Sequence, residues 1–222
     1  PAFIRGAVTI YYATYVMQAS VRFITFFMAL GVACNMLGSV IAKPLTDRFD
    51  KIKLFRIINI ILGMLSFALW FVEPHSLTPL LALFIVINIL HLIQSGPILW
   101  AMMSDVDDYG DWKLGKRLTG ISFAGNLFML KMGLAVAGAI VAWILAYTGY
   151  IANKPQQNEQ TLQGIIIMFS LLPMVSYFIS AWIVRYFKLN NALLETIKVD
   201  LAKRELQTVS DQTQEYKDVP VV

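Results

Sequence analysis

Lys131 is the one formal charge in the apolar segment 118–150 of this 222-residue chain. If the segment is helical, its rise of about 1.5 Å per residue places Lys131 about 20 Å from the start. A helix of this length spans a bilayer, and an ammonium group at the bilayer centre costs about 2.5 to 3.5 kcal/mol on insertion scales. A water-filled cavity or a buried acidic or carbonyl partner must compensate, which makes Lys131 a candidate binding residue.

Polar side chains occur at comparable depth in other apolar segments. His91, Gln94 and Ser95 follow one another at i, i+3 and i+4 and therefore share one helical face. Asn126 precedes Lys131 by five residues, about 140° away around a helix. These groups predict a polar cavity if the helices pack as a bundle.

The first apolar segment adds Arg5, Tyr11 and Tyr12, and the second adds Asn35 near its middle. We expect the arginine and the two tyrosines to contribute to the same cavity, with the tyrosines supplying stacking surface. A second interpretation stays open for the amides and Ser95. Such groups often hydrogen-bond across a helix contact, where each bond contributes about 0.6 kcal/mol.

The segment 105–117 reads DVDDYGDWKLGKR and carries acidic residues followed by basic ones. One interpretation is a solvated charged turn between two membrane spans. The other is an ion-pair lock, in which Asp105 and Asp108 at i and i+3 face Arg117 at the start of the next helix. Partly buried pairs that form and break can hold a conformation, as a gate requires.

Composition places these residues in a membrane protein. Hydrophobic residues make up 58% of the chain and charged residues 14%, whereas charged residues are about 25% of soluble domains. The fold predicted is all-α and integral to the membrane, with a six-helix bundle over 1–188. Its spans are expected at 1–18, 21–43, 54–72, 77–104, 118–148 and 162–187. The first segment is short, so we expect the chain to begin partway through a helix.

Lysine and arginine predict the orientation. Fourteen of them follow the second, fourth and sixth spans, and two, Arg22 and Lys154, lie on the opposite side. The positive-inside rule then makes the three basic segments and the carboxyl terminus cytoplasmic. Residues 189–207 carry leucine and isoleucine at amphipathic spacing, so within 189–222 we expect a helix on the inner membrane surface and then a flexible tail.

Several classes of function are disfavoured by the residues themselves. The basic residues are scattered and not gathered on a patch with aromatics, which argues against a nucleic-acid partner. Cys34 is the single cysteine, and neither a metal-ligand spacing nor a nucleophile beside a base occurs. We therefore expect no metal, no bound cofactor and no enzymatic activity, with a membrane-embedded enzyme or a membrane sensor or scaffold as the alternatives.

The segment MSDVDDYGDWKLGKRLTGISFAGNLFMLKMGLA resembles the corresponding sequence of the glycoside-pentoside-hexuronide:cation symporters, the melibiose-permease-like branch of the major facilitator superfamily. It looks closest to the xyloside and isoprimeverose transporters. The resemblance runs over essentially the whole chain from RGAVTIYYATYV onward. It implies a twelve-helix transporter of which this chain is the carboxyl-terminal half, with the first helix truncated.

Carried over residue by residue, the resemblance implies that Lys131 is the family's central lysine and that Asn126 contacts sugar. The family's cytoplasmic ion-pair network falls on Asp105, Asp108 and Arg117, with basic partners expected among Arg48, Lys51, Lys53 and Arg56. The segment PLTDRFDKIK resembles the superfamily's charged motif around Asp47 and Arg48, but it has Lys43 and Asp50 where that motif has glycines. Gly96 stands where melibiose carriers have a tryptophan, so Gln94 or His91 is its expected replacement.

The resemblance further implies alternating access in a bacterial inner membrane. The partners would be a sugar, the lipid bilayer and the amino-terminal half of the same polypeptide. That half holds the acidic residues for the coupling cation, so we expect this chain alone not to bind Na⁺ or H⁺. Which of the two ions couples transport stays open.

Overall fold

The chain is a bundle of helices. The computed structural model describes residues 1–116, 119–187, 189 and 191–217, and all of the regular secondary structure in these ranges is helical, which confirms the all-α prediction. The helices are α1 Ala2–Tyr11, continued by a π-helical turn Tyr12–Val16; α2 Val21–Arg48; α3 Lys51–Trp70; α4 Leu77–Ile93, continued by a π-helical turn Gln94–Ile98 into α5 Leu99–Leu114; α6 Thr119–Tyr147; α7 Glu159–Phe169; α8 Leu171–Ile183, ending in a 3₁₀ turn Val184–Tyr186; and α9 Asn191–Lys217.

Five helical rods are long and apolar enough to cross a membrane: Val21–Arg48, Lys51–Trp70, Leu77–Leu114, Thr119–Tyr147 and Glu159–Tyr186. With the shorter α1 they correspond to the six predicted spans. The clearest difference lies at the end of the fourth span, where the helix continues through the charged segment to Leu114 instead of stopping near 104. Asp105, Asp107 and Asp108 are therefore helical residues with fixed directions.

Short polar caps set the turns between the rods. The Asp50 carboxylate accepts hydrogen bonds from the backbone N–H groups of Ile52 and Lys53, both at 3.0 Å, and thereby begins α3. Asn158 does the same for α7 through the N–H of Thr161 at 2.6 Å. At the end of α5, Gly115 adopts a φ of 65°, the left-handed conformation that glycine favours at a helix C-cap.

Two helix pairs, α2–α4 and α3–α8, make the densest contacts. In the α2–α4 pair, the ring of Phe27 stacks on that of Phe84 at 4.0 Å, and a Cβ on Gly38 would overlap the backbone of Ile89. In the α3–α8 pair, a Cβ on Gly63 would lie 2.9 Å from the ring of Phe178. Small residues at these positions let the helices approach closely, which is how membrane helices gain packing energy.

Helix α6 packs on one narrow stripe. Its buried residues are Ala137, Val141 and Leu145, at i, i+4 and i+8, in its second half beside α1. The first half is different, because a Cβ added at Gly125 or Gly133 would meet nothing within 4 Å. A helix that is apolar on all sides has to be covered by lipid or by other protein. Most of the α6 surface is uncovered by the rest of this chain and can contact either.

Helix α9 docks on the cytoplasmic ends expected for α3 and α5. Leu194 and Ile197 are buried against Trp112 and its neighbours. The Trp112 indole Nε1 donates to Asp200 at 3.1 Å, and Arg204 donates to the Trp112 carbonyl at 3.2 Å. The apolar face predicted to lie on the membrane surface thus contacts protein, and the helix runs past 207 to Lys217.

Candidate functional site

A polar cavity lies between α1, α2 and α4, with a volume of about 220 Å³. Four helices, α1, α2, α4 and α8, place neutral polar side chains on its wall, and α1 adds one cation. The lining polar residues are Arg5, Thr9, Asn35, Asn88, His91 and Tyr177. Converging polar groups inside an otherwise apolar bundle are the usual mark of a ligand site.

Arg5 is 5% exposed and joins three helices. Its Nε donates to the carbonyl of Phe169 at 3.1 Å, and its Nη2 donates to Ser66. Phe169 has a free carbonyl because Pro173, four residues later, has no N–H to donate. The guanidinium also lies 5.9 Å from the ring centroids of Phe169 and Tyr177. Among the residues that the structure describes, Arg5 has no carboxylate partner.

His91 and Gln94 lie where α4 passes into its π-helical turn. The Ser95 hydroxyl lies 3.2 Å from His91 Nε2, while His91 Nδ1 has no hydrogen-bond partner within the described part of the chain. Gln94 is buried and its Oε1 likewise has none, although Gln94 does not line the cavity. Pro97 in the turn removes a backbone donor, and π turns of this kind occur frequently at functional sites.

Asn88 was missed from the sequence. Its Nδ2 donates to the carbonyl of Phe84 at 2.8 Å, and its Oδ1 lies 3.5 Å from Nδ2 of Asn35. Asn35 Oδ1 has no partner in the described ranges. The signal was available, because Asn88 precedes His91 by three residues and so shares its face.

Lys131 and Asn126 lie outside this cavity. Lys131 is exposed on the first half of α6, and Asn126 Nδ2 contacts Met103 Sδ at 2.8 Å. The structure therefore does not bring these two beside His91. It places Lys131 on the open face of α6 and Asn126 beside α5.

The neighbouring residues Tyr11 and Tyr12 point to different parts of the structure. Tyr11 lines a cleft of about 470 Å³ between α1 and α6, together with Tyr150. Tyr12 is buried and stacks on Phe169 at 4.2 Å, which makes it a core residue. In the loop after α6, the Tyr150 hydroxyl lies 3.0 Å from that of Tyr15, and burial first and then this hydrogen bond raise the pKa of Tyr150 to about 12.

The charged cluster near the ends of α3 and α5 contains a two-point ion pair. Lys51 Nζ lies 2.6 Å from Asp105 Oδ2 and 2.8 Å from Oδ1. Of the four basic residues expected as partners of the acidic cluster, Lys51 is therefore the one that forms an ion pair within the described residues. Asp107, which sequence reasoning missed, is buried and accepts hydrogen bonds from Thr119 and, at 3.4 Å, Ser122. It ties α5 to the start of α6.

The other predicted gating residues are less enclosed. Asp47 and Arg48 are exposed at the end of α2, and Asp108 is partly buried on α5. Arg117 lies outside the residues that the structure describes.

Residues 1–191 match the sequence family described as MFS/sugar transport protein. The chain belongs to this family. Membership confirms the sequence-based resemblance to sugar symporters of the major facilitator superfamily, and it confirms the prediction of a membrane transport protein and not an enzyme.

Curated relatives agree with this family assignment. The chain is 42% identical over 201 residues to "Inner membrane symporter YicJ" of Escherichia coli K12, covering 90% of this chain and 43% of that protein. It is 36% identical to "Putative glycoside/cation symporter YagG" of the same organism, with 90% and 43% covered. To "Glucuronide carrier protein homolog", also from E. coli K12, it is 29% identical, with 94% and 48% covered. The chain thus spans about half the length of these relatives.

Proposed function

We propose that this chain forms the carboxyl-terminal half of a sugar transporter of the MFS/sugar transport family, coupled to Na⁺ or H⁺ and working by alternating access. The observation that carries the proposal is the polar cavity between α1, α2 and α4, enclosed by apolar rods long enough to cross a bilayer. Sites of secondary transporters lie near the bilayer midplane, beside interrupted helices. The π turn at Gln94–Ile98 is such an interruption.

The open face of α6 is where the rest of the polypeptide would pack. It carries Lys131, and Tyr11 lines the cleft between α1 and α6. A buried ammonium needs an opposite charge or water. We propose that residues beyond 1–222 supply a carboxylate for Lys131 and bind the coupling cation, and that sugar lies between that part and this chain.

The ion pair between Lys51 and Asp105 is the proposed cytoplasmic gate, with Asp108, Arg117, Asp47 and Arg48 as its further members. It would hold α3 and α5 together in one state and open in the other. The proposed location is a bacterial inner membrane, with the carboxyl terminus cytoplasmic because the positive charges follow the second, fourth and sixth spans.

The finer proposal for the substrate is a xyloside or another glycoside or pentoside. It is supported by the amino-acid sequence of the α5–α6 segment and by the relatives whose names describe glycoside and glucuronide carriers.

Uptake of labelled methyl β-xyloside tests the transport proposal. The full-length protein in membrane vesicles should accumulate the sugar in a manner that depends on sodium or on pH. Lys131→Ala should abolish uptake while membrane insertion is retained, because the carboxylate proposed to pair with the ammonium group would be left without its counter-charge. Lys154→Ala, in the exposed loop between α6 and α7, is the matched control and should transport normally. Undiminished uptake in Lys131→Ala would contradict the site.

A further inference from the structure

Two apolar clefts lie side by side around α5. The larger, of about 510 Å³, lies between α3, α5 and the end of α8, and the smaller, of about 410 Å³, lies between α5 and α6. Leu99, Met102 and Phe187 line both, so the two clefts share one wall. Among the described residues, no charged side chain lines either cleft. Each cleft therefore suits a hydrocarbon chain and not a sugar.

The larger cleft reaches one end of the membrane-spanning helices. Phe55, near the start of α3, lines it together with Val184 and Tyr186 at the end of α8. At the same end, the exposed rings of Trp182 and Tyr186 meet edge to face at 5.5 Å. Exposed tryptophan and tyrosine at the end of a span are typical of the boundary between membrane and water. The cleft thus extends to the headgroup level of one leaflet, the one proposed to be cytoplasmic.

Two exposed arginines flank this end of the larger cleft. Arg56 follows Phe55 on α3, and Arg185 lies between Val184 and Tyr186. The Arg185 guanidinium lies 5.5 Å from the centroid of the Tyr186 ring. In the part of the chain that the structure describes, neither arginine has a carboxylate within ion-pair distance. Both guanidinium groups are therefore available to a phosphate, which they bind through two parallel hydrogen bonds.

The clefts and the arginines together fit a phospholipid. An acyl chain alone would gain little from leaving bulk lipid, because lipid tails are as apolar as the leucine side chain. Selectivity must come from the headgroup, and each arginine or lysine near the surface strengthens the binding of an anionic lipid about fivefold. A zwitterionic headgroup has no net charge to offset the two cations. An anionic phospholipid also has two acyl chains for two neighbouring clefts.

We propose that the protein binds one anionic phospholipid here, with its phosphate on Arg56 and Arg185 and its acyl chains in the two clefts. The lipid would join α3 and α8 to α5 and α6 at the end of the bundle that carries the ion pair between Lys51 and Asp105. This ligand is distinct from the transported sugar, and its binding does not depend on which sugar is carried.

The headgroup contact is tested with dioleoyl phosphatidylglycerol and dioleoyl phosphatidylethanolamine, which have the same chains and differ in net charge. Native mass spectrometry of the purified full-length protein measures the affinity for the first molecule of each. The wild type should prefer phosphatidylglycerol about thirtyfold, as expected for two cations. Arg56→Gln and Arg185→Gln should each reduce this preference about fivefold, and the double variant should remove it. Arg185→Lys should retain most of it, and Arg22→Gln, at an exposed position at the start of α2, should retain all of it.

The placement of the chains is tested by filling the clefts. Leu99→Trp enlarges a side chain in the shared wall and should weaken phosphatidylglycerol binding although both arginines remain. Val175→Trp, exposed on α8 outside both clefts, is the control and should bind as the wild type does. If Leu99→Trp does not elute as a monodisperse protein, Ile183→Trp replaces it, at a more exposed position in the larger cleft.

Three results would overturn the inference. Equal binding of the two lipids by the wild type would mean that the protein does not select an anionic headgroup. A preference that survives in the double arginine variant would place the headgroup elsewhere. Unchanged phosphatidylglycerol binding in the cleft variant would mean that the acyl chains do not occupy the clefts.

Discussion

The ion pair between Lys51 and Asp105 should be strongly asymmetric when either partner is removed. Its two hydrogen bonds measure 2.6 and 2.8 Å, but the side chain of Asp105 is 7% exposed while that of Lys51 is 22% exposed. Lys51→Met leaves a carboxylate enclosed without a cation, which we expect to destabilise the protein by about 3 kcal/mol. Asp105→Asn leaves a long cation that can turn toward water, so a loss of about 1 kcal/mol is expected.

The double variant tests the same reasoning from the other side. Replacing both members of a buried pair with apolar groups is often close to neutral. Lys51→Met with Asp105→Leu should therefore recover about 2 kcal/mol relative to Lys51→Met alone. The stability of the full-length protein is measured by denaturant titration in detergent. Lys53→Met, an exposed lysine on the same turn of α3, is the control and should change stability by less than about 0.5 kcal/mol.

Two results would refute this account. One is an equal loss in the two single variants, which would mean that burial does not decide their cost. The other is additivity in the double variant, which would mean that the 2.6 Å contact does not couple the residues. If the pair is also a gate, the double variant should lose transport while remaining stable.

Two further predictions concern helix packing. Gly38→Ala should lower stability by about 2 kcal/mol or more, because its Cβ would overlap the backbone of Ile89. Thermal unfolding of the full-length protein measures this loss, and an unchanged unfolding temperature would contradict the close α2–α4 contact. Trp112→Phe removes the hydrogen bond to Asp200 and should increase amide hydrogen exchange throughout α9, while unchanged exchange would show that the docking does not depend on it.

The all-helical fold was predictable because long apolar segments indicate membrane-spanning helices from length and apolarity alone. The end of the fourth span was not. For DVDDYGDWKL the sequence left open a charged turn or a helix end that carries Asp105 and Asp108. The segment is helical to Leu114, and Asp105 and Asp107 find partners in α3 and α6. Sequence spacing selected Asp105 and Asp108, whereas tertiary contacts enclose Asp105 and Asp107.

The candidate site was predictable only in part. His91 and Arg5 were found because polar groups in apolar segments are conspicuous. The hydrogen bond from Arg5 to the Phe169 carbonyl was not predictable, because 164 residues separate the two. Pro173 did indicate that this carbonyl lacks its usual helical N–H donor. Tyr11 and Tyr12 were assigned the same role, but neighbours on a helix point about 100° apart, and the structure turns Tyr12 into the core.

The two membrane-depth cations differ in where their electrostatic partners lie. Arg5 is enclosed by α1, α3, α7 and α8, so its contacts lie within this chain. Lys131 is exposed on α6, and the carboxylate proposed to compensate it lies outside residues 1–222. A loss of uptake in Lys131→Ala should therefore be reversible by neutralising a carboxylate elsewhere in the full-length protein. No such second change should rescue a defect caused by Arg5→Gln, because in the described part of the chain Arg5 is held by the Phe169 carbonyl and the Ser66 hydroxyl and by no carboxylate.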